Sequence, residues 1–309
     1  MDALSRLIQL AQLQGSLDVR CQFAGGFAVD HDPAAPGEAL FHLVLDGDCA
    51  IEPAGEATVP LETGDLVIFP RGAAHRIRDR TGRVPAAPIR LEHDGLLPLR
   101  RNADGPADLD LLCGRFRYAP ASASLLLSTL PATLKVSLRD SAGMDALQAL
   151  VALMRLEADQ RQPGALAVVT ALTHALFALA LRAHAASDSP QAGLLPLLAD
   201  PRLGAAVQAM LADPARAWTL EELGRLAAMS RASFARHFGE RAGMTPADCL
   251  TRLRMQIAAD LLLRTRRRTG DIGQDVGYQS EAAFGKAFRH YMGNTPARFR
   301  REHGGFEAP

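Results

Sequence analysis

A helical motif that occurs twice near the C-terminus, 50 residues apart, constrains the fold more than any other feature of the sequence. Each copy carries two phenylalanines four positions apart, Phe234 and Phe238 in the first and Phe284 and Phe288 in the second. Four positions are about one turn of an α-helix, so each pair lies on a single face. An apolar pair on one face predicts that this face packs on a core.

Each copy also carries the start signals of a helix and follows a shorter helical segment. Ser230 and Ser280 stand where the longer helices begin, and serine is a suitable N-cap. Before the first copy, Thr219 and Glu222 have the spacing of a capping box; before the second, "TGDIGQDVGY" predicts only a short helix with Gly273 inside it. A short helix, a tight turn and a longer helix make a helix-turn-helix, whose second helix enters the major groove of DNA.

The stretch "PADCLTRLRMQIAADLLLR" at 246–264 predicts one helix between the two motifs, able to hold the reading helices about 34 Å apart. Arg236 and Lys286 hold equivalent outward positions on those helices. We expect Arg236 to read a base, with a solvated or phosphate-facing arginine as the alternative. Lys286 is expected to supply affinity rather than sequence discrimination. The run "RTRRR" at 264–268 is either a phosphate clamp or a solvated turn. The predicted DNA-binding residues are Ser230, Arg231, Ser233, Arg236, Gln279, Ser280 and Lys286.

The charge distribution agrees with a nucleic-acid-binding C-terminal half. The whole chain has a formal net charge of zero, but residues 201–309 carry 17 Lys and Arg against 11 Asp and Glu. Residues 1–200 carry 17 against 23. A basic half joined to an acidic half predicts that only the basic one meets a polyanion. Uneven surface charge without a partner is the alternative.

Residues 205–302 resemble the DNA-binding domain of the AraC/XylS family of transcription regulators. The resemblance is carried by "WTLEELGRLAAMSRASFARHF" and by "GYQSEAAFGKAF", which follows the family signature in its second motif. Thr269 and Gly273 depart from the pattern, since the family usually has an aliphatic residue and Ala there. The resemblance implies a regulator that binds double-stranded promoter DNA, with RNA polymerase as a further partner. We expect an activator, although the sequence leaves repression open.

The first 120 residues predict antiparallel β structure, because short alternating segments are punctuated by Gly, Pro and Asp. "LETGDLVIFPRGAAH" resembles the second motif of the cupin barrel, with Gly64, Pro70, Gly72 and His75 in place. Of the first cupin motif, "FHLVLDGDCAI" keeps only His42. The predicted fold class is α+β: an N-terminal cupin-like β-barrel with a helical dimerisation segment, then a C-terminal all-α double helix-turn-helix domain.

His42 and His75 are expected in the barrel wall or its effector pocket. A cupin enzyme usually holds its metal with three or four side chains, and here the two motifs supply two. We therefore expect no metal, no cofactor and no enzyme activity. The alternative is a metal-dependent cupin enzyme fused to a DNA-binding tail, which would hold stoichiometric metal and lose it in His75→Ala.

The four cysteines form no CxxC pair, which argues against both a structural zinc site and a disulfide scaffold. "MDALSRL", "CGRFRY" and "LLLSTLPATL" resemble the cupin-type sensor of one AraC subgroup, a member of which senses reactive chlorine by oxidation of two cysteines. The corresponding residues are Cys21 and Cys113, and the resemblance implies a redox switch between them. Arg20 and Arg115, near them in sequence, would favour the thiolate. The alternatives are a small organic effector in the barrel and cysteines that only pack.

We predict a sensor domain at 1–140, a helical dimerisation segment at 141–187, a linker at 188–204 and the DNA-binding domain at 205–303. The apolar run at 164–186 is nearly long enough to span a membrane but contains Thr170, Thr173 and His174, so we expect a buried helix. Apolar helices in this segment predict a homodimer, with packing inside one chain as the alternative. Asp2 stands where a signal peptide has positive charge, which predicts a cytoplasmic protein with no membrane partner.

Overall fold

A computed structural model describes residues 1–85, 87–93, 97–118, 125–127, 129–137, 145–160, 162–186 and 192–303. The chain forms two compact units. The first, here called the barrel unit, is built from Leu13–Tyr118 and Leu130–Ser187. The second, the helical unit, is built from Met1–Gln12, Ala119–Thr129 and Asp188–Pro309. The predicted boundaries at 140/141 and 187/188 lie outside the described residues.

The barrel unit is a curled sheet of ten strands. Its main path runs in the order β10, β5, β3, β9, β1, β8 and β7, while β4 pairs with β3, and β6 pairs with both β2 and β3. Among the described pairs, only β1 with β8 is parallel. The strands are β1 (Gln14–Phe23), β2 (Ala28–His31), β3 (Glu38–Pro53), β4 (Val59–Glu62), β5 (Asp65–Phe69), β6 (His75–Arg78), β7 (Arg90–Glu92), β8 (Leu99–Arg101), β9 (Leu109–Arg117) and β10 (Leu134–Ser137).

Strand β3 belongs to both sides of the curled sheet. It has 16 residues, and its first half pairs with β5 while its second half pairs with β4 and β6. A register shift lies between Val44 and Asp46, where β3 pairs with β9. Irregularities of this kind bend a strand and increase its twist. The bend lets one strand join the two halves of the barrel.

The interior of the barrel follows the two-residue period of a strand. Along β1, Leu17, Val19, Cys21 and Phe23 are buried at every second position. Strand β5 is buried throughout, and the turn after it leads to His75 at the start of β6. The antiparallel β structure predicted for this part of the chain is therefore confirmed, and the second cupin motif forms a strand and the turn after it.

Two helices follow the barrel strands, α2 (Asp145–Gln160) and α3 (Ala165–Ala186). By length and composition alone α3 could cross a membrane, but the core helix of a soluble protein passes the same test. The ring of Phe177 is fully buried, 4.8 Å from that of Phe116 in β9. His174 Nε2 donates to the carbonyl oxygen of Leu13 at 2.6 Å. Helix α3 therefore packs against the barrel.

The helical unit contains two helix-turn-helix motifs joined by a long helix, α8 (Pro246–Arg264). The first motif is α6 (Leu220–Leu226) with α7 (Arg231–Ala242), and the second is α9 (Thr269–Asp275) with α10 (Glu281–Met292). In each motif the phenylalanine pair is fully buried, as the spacing of four predicts. Among the residues described for this unit, the longer helices are α1 (Ala3–Leu10), α4 (Leu194–Ala199), α5 (Pro201–Ala212), α6 (Leu220–Leu226), α7 (Arg231–Ala242), α8 (Pro246–Arg264), α9 (Thr269–Asp275), α10 (Glu281–Met292) and α11 (Pro296–His303).

The predicted helix starts are present. Thr219 and Glu222 form the capping box of α6. The Ser230 hydroxyl accepts from the backbone N–H of residue 233 at 3.2 Å, and the Ser280 hydroxyl accepts from that of residue 283 at 3.2 Å. Helix α9 forms without any side-chain cap at Arg268. Local sequence signals therefore fix three of the four helix starts in the two motifs.

Candidate DNA interface and sensor site

The first reading helix, α7, presents the predicted contact residues at its N-terminal end. Ser230, Arg231 and Arg236 are exposed, and Ser233 is half-buried. Arg236 Nη1 donates to the carboxylate of Glu240, one turn later, at 3.0 Å. An exposed pair of this type contributes about 0.3–0.5 kcal/mol. This ion pair has to open, or be shared, before the guanidinium can reach a base.

The second reading helix, α10, has the same geometry with a different charge pattern. Gln279, Ser280 and Lys286 are exposed at its start and along its outward face. His290 stands one turn after Lys286, at the position that Glu240 holds in α7. Among the described residues, Lys286 forms no ion pair. The Lys286 ammonium is therefore available to a phosphate or a base, whereas the Arg236 guanidinium is paired with Glu240.

Helix α8 connects the two motifs as a continuous spacer. Its 19 residues span about 28 Å at the helical rise of about 1.5 Å per residue. The Tyr291 hydroxyl of α10 donates to Asp248 Oδ1 of α8 at 2.8 Å. Arg254 of α8 donates from Nε to the Pro214 carbonyl oxygen at 2.7 Å, ahead of α6. Contacts to both motifs fix the separation of the reading helices.

The arginine run at 264–268 is partly neutralised. Arg264 Nη1 lies 3.9 Å from an Asp260 carboxylate oxygen, and Arg267 pairs with Asp275. Both pairs are exposed at the arginine side, so they contribute little and exchange readily with a phosphate.

The predicted sensor cysteines meet inside the barrel. Cys21 Sγ of β1 and Cys113 Sγ of β9 are 3.8 Å apart, and the residues are 2% and 4% exposed. Their strands are neighbours, with Cys21 opposite Leu111 and Val19 opposite Cys113, so the two thiols are diagonal neighbours on one face. Cys49, in the same core cluster, and Cys249, in the helical unit, are also free and buried.

The arginines next to these cysteines in sequence do not activate them, which corrects the expectation from sequence. Arg20 donates to both carboxylate oxygens of Asp110, and Arg115 pairs with Asp18 and Glu38. The hydrogen bond with Cys21, together with burial, raises the pKa of Cys113 well above its usual value. Arg20 and Cys21 are successive residues of β1 and point to opposite faces, so the guanidinium of Arg20 lies away from the thiol. Arg115 is two positions after Cys113, and its guanidinium is held by its ion pairs with Asp18 and Glu38.

A cluster of three imidazoles lies in the barrel. His42 Nε2 and His75 Nε2 are 2.7 Å apart, and the ring of His31 stacks on that of His75 with centroids 4.6 Å apart. The predicted pair is therefore brought together, and His31 is an addition that sequence reasoning missed. His31 belongs to neither cupin motif; only the pairing of β2 with β6, which puts it opposite His75, reveals it.

All three imidazoles are held neutral. Burial, followed by the repulsion that a protonated His75 and Arg100 would exert on the protonated ring, lowers the pKa of His31 to about 4. Burial is also the largest cause of the lowered pKa of His42 and of His75. At neutral pH each ring therefore keeps one nitrogen lone pair.

Comparison with known proteins agrees with both units. The family described as cupin matches residues 2–186, and the helix-turn-helix domain family matches residues 223–302. An uncharacterized HTH-type transcriptional regulator of Haemophilus influenzae is 34% identical over 301 residues, 97% of this chain and 99% of its own. The RCS-specific HTH-type transcriptional activator RclR of Escherichia coli is 33% identical over 302 residues, 97% of each chain. A putative AraC-like transcription regulator of Streptomyces lividans is 29% identical over 310 residues, 97% of this chain and 98% of its own.

The chain belongs to the AraC family of transcription regulators. The matches cover nearly the whole length of the chain and of each relative, so both the cupin domain and the double helix-turn-helix domain are part of the resemblance. An AraC-family regulator binds double-stranded DNA through this domain. The relatives are named as regulators, and this chain is a regulator rather than an enzyme.

Proposed function

We propose that this AraC-family regulator reads promoter DNA with α7 and α10, and that oxidation of Cys21 and Cys113 to a disulfide changes how it does so. The sensor part rests on the 3.8 Å contact between two thiols in the barrel interior. The DNA part rests on the exposed residues at the starts of α7 and α10. Arg236 reads a guanine, and Lys286 holds a phosphate.

The chemistry of the switch is thiol oxidation by a chlorine oxidant. Hypochlorous acid transfers chlorine to one thiol, giving a sulfenyl chloride and water. The second thiol then attacks that sulfur, forming the disulfide and releasing HCl. Either thiol can take the chlorine in the first step, because the two sulfurs are in direct contact and the other thiol is then the attacking group. The disulfide needs the sulfurs at about 2.0 Å, so they must approach by about 1.8 Å.

The required movement explains how a bond in the barrel affects its surroundings. Cys21 lies on β1 and Cys113 on β9, and β9 also pairs with β3 over most of its length. A packed core does not absorb a displacement of this size locally. We therefore expect the oxidised barrel to differ from the reduced one in the packing around β1 and β9, through rotation of the two cysteine side chains together with a shift of the strands that carry them. The strand pair β1–β9 would then have two arrangements, one reduced and one oxidised, and a switch needs such an element with two states.

The oligomeric state and location complete the proposal. Helices α2 and α3 expose large apolar side chains, with Leu156 48% and Leu166 50% exposed. Apolar surface of this kind on neighbouring helices favours a second copy of the chain, so we propose a homodimer. We also propose that it acts in the cytoplasm, where promoter DNA is.

Leu156→Glu should shift the sedimentation coefficient to that of a monomer, and an unchanged value would remove α2 from the interface. RNA polymerase is the further partner of the DNA-bound form.

The test is a gel shift on the DNA upstream of the protein's own gene, with reduced and hypochlorite-treated protein. Cys21→Ser and Cys113→Ser remove one thiol each, and Cys49→Ser is the matched control because it removes a buried thiol from the same core cluster. Oxidation should change the affinity or the footprint of the wild type and of Cys49→Ser. It should leave both single sensor variants unchanged. Non-reducing peptide mapping should show the Cys21–Cys113 bond only in proteins that respond.

Two other outcomes separate the parts of the proposal. Identical binding of all variants before and after oxidation would reject the thiol switch but keep the DNA part, and a small organic effector would then be the candidate signal. A polar cavity of about 280 Å³, lined by Gly25, Asp48, Asp79, Thr81, Arg83 and Asp108 among others, is where such an effector would be sought. Equal affinity for specific and random DNA would reject sequence-specific reading.

A further inference from the structure

We propose that Arg100 activates the thiol pair, as the counter-ion of the thiolate that reacts with the oxidant. This rests on the thiol switch proposed above and adds the residue that makes the pair reactive. Strand β8 pairs with β1 in parallel, and in that register Arg100 lies opposite Cys21. Paired residues of adjacent strands point to the same face of a sheet, so Arg100 extends from the face that carries Cys21.

Four neighbouring strands bring an imidazole, two thiols and a guanidinium together on this interior face. The strands run in the order β3, β9, β1 and β8. His42 of β3 lies opposite Cys113 of β9. The Cys113 and Cys21 sulfurs are 3.8 Å apart, and Arg100 of β8 lies opposite Cys21. The thiol pair therefore has the imidazole on one side and the guanidinium on the other.

The positive charge of Arg100 acts on groups inside the barrel. Burial lowers the pKa of His42, and Arg100 is one of the charges that lower it further. The hydrogen bond with Cys21 and burial raise the pKa of Cys113, and the charge of Arg100 acts against both. Among the described residues, the Arg100 side chain forms no ion pair and no hydrogen bond, so none of their carboxylates competes with a thiolate for it.

A buried thiol pair needs such a cation in order to react. The thiolate is the nucleophilic form of cysteine, and apolar surroundings raise the pKa of a thiol. Arg20 and Arg115 are held by carboxylates, whereas Arg100 can stabilise a thiolate of the pair. Arg100 is half-buried, so its guanidinium keeps contact with water and avoids the cost of a fully buried unpaired charge.

The guanidinium assists the first step of the oxidation and is not consumed in it. A thiolate of the pair, stabilised by the charge of Arg100 and by a hydrogen bond from the other thiol, attacks the chlorine of hypochlorous acid and releases hydroxide. The second thiol then attacks the sulfur of the sulfenyl chloride and displaces chloride, and its proton neutralises the hydroxide. One thiolate, one thiol and one hypochlorous acid thus give one disulfide, one water and one chloride.

The experiment compares the rates at which wild type and Arg100→Gln form the disulfide. Full-length reduced protein receives less than one equivalent of hypochlorite in the presence of free methionine as a competing scavenger, and non-reducing peptide mapping quantifies the Cys21–Cys113 bond. Both proteins meet the same oxidant at each pH, so the ratio of their rates reports the thiols. Arg100→Gln should be about threefold to tenfold slower at pH 7, as a rise of about half to one pKa unit would make it. The difference should narrow as the pH rises towards 10, because the thiolate fraction of the variant then increases.

Arg100→Lys keeps the positive charge and should restore most of the wild-type rate. The matched control is Arg101→Gln, which removes the same charge from the next residue of β8, on the opposite face, and should react as the wild type does. Circular dichroism confirms that each variant is folded. A wild-type rate in folded Arg100→Gln, an equal loss in Arg101→Gln, or no recovery in Arg100→Lys overturns the role of Arg100 and leaves the thiol switch intact. A wild type that forms no disulfide rejects the thiol switch itself, and the role of Arg100 with it.

Discussion

The turn between α9 and α10 offers a strict test of how the second reading helix is held. Gly277 in this turn has φ 89°, and a Cβ there would lie 2.6 Å from the Ala215 carbonyl oxygen and 2.8 Å from Arg254 Nη2. A left-handed conformation costs a residue with a Cβ about 1–2 kcal/mol, and a stiffer unfolded chain offsets about 0.4–1 kcal/mol. The clash with backbone adds about 1–3 kcal/mol, as overpacking does. We expect Gly277→Ala to lower the free energy of unfolding by about 2–3 kcal/mol.

The first motif supplies the matched comparison. Ala228 stands at the equivalent place in its turn and has φ 52°. The same backbone hydrogen bond closes both turns, from Met229 N–H to the Gly224 carbonyl at 2.8 Å and from residue 278 to residue 273 at 2.9 Å. Ala228→Gly removes the left-handed strain and should raise the free energy of unfolding by about 0.5–1 kcal/mol.

Urea unfolding, followed by the fluorescence of Trp218, measures both changes. Trp218 is the single tryptophan of the chain and lies in the helical unit, so its signal reports the unit that contains both turns. The two substitutions should move the midpoint in opposite directions with the slope unchanged. A Gly277→Ala protein within about 0.5 kcal/mol of the wild type would show that the turn is not held against residues 215 and 254, and the reasoning would fail.

Three further predictions concern the DNA interface and the first motif. Arg236→Ala should cost about 1–3 kcal/mol on specific DNA in gel shifts, and an equal loss on random DNA would assign the residue to phosphate instead. Glu240→Gln removes the ion pair that holds Arg236 and should tighten DNA binding about twofold, whereas unchanged binding would mean that the pair does not compete. The Thr219 backbone N–H, followed by Arg216, lowers the pKa of Glu222 from 4.5 to about 2. The ionised carboxylate of Glu222 therefore stabilises the folded protein above pH 4.5, and this contribution is lost as the pH falls towards 2. The melting temperatures of the wild type and of Glu222→Gln should converge over that interval. A constant difference between them would contradict the capping box.

Sequence reasoning reached furthest where the signals are local. The buried faces of α7 and α10 follow from a spacing of four, and the starts of three helices follow from Thr219, Ser230 and Ser280. Each of these features depends on residues within one or two turns of each other. The turn before His75 is likewise specified within one short motif. These local features could be predicted because they do not depend on which distant parts of the chain come into contact.

Contacts between strands that are far apart in the sequence could not be predicted from local patterns. The resemblance to a known sensor brought Cys21 and Cys113 together, but no pattern in the chain states that β1 pairs with β9. His31 was missed because its partner, His75, lies 44 positions later and only the pairing of β2 with β6 joins them. Arg20 misled because successive residues of a strand face opposite sides. Arg115 misled because its guanidinium pairs with Asp18 of β1 and Glu38 of β3, contacts that no local pattern states.

The two chemical groups of the barrel meet through a single strand pairing. In the register of β3 with β9, His42 lies directly opposite Cys113, so an imidazole of the cluster and a thiol of the pair are neighbours on one face. A slip of one residue would send each of them to the other face. A disulfide that displaces β9 therefore acts on the strand that carries His42.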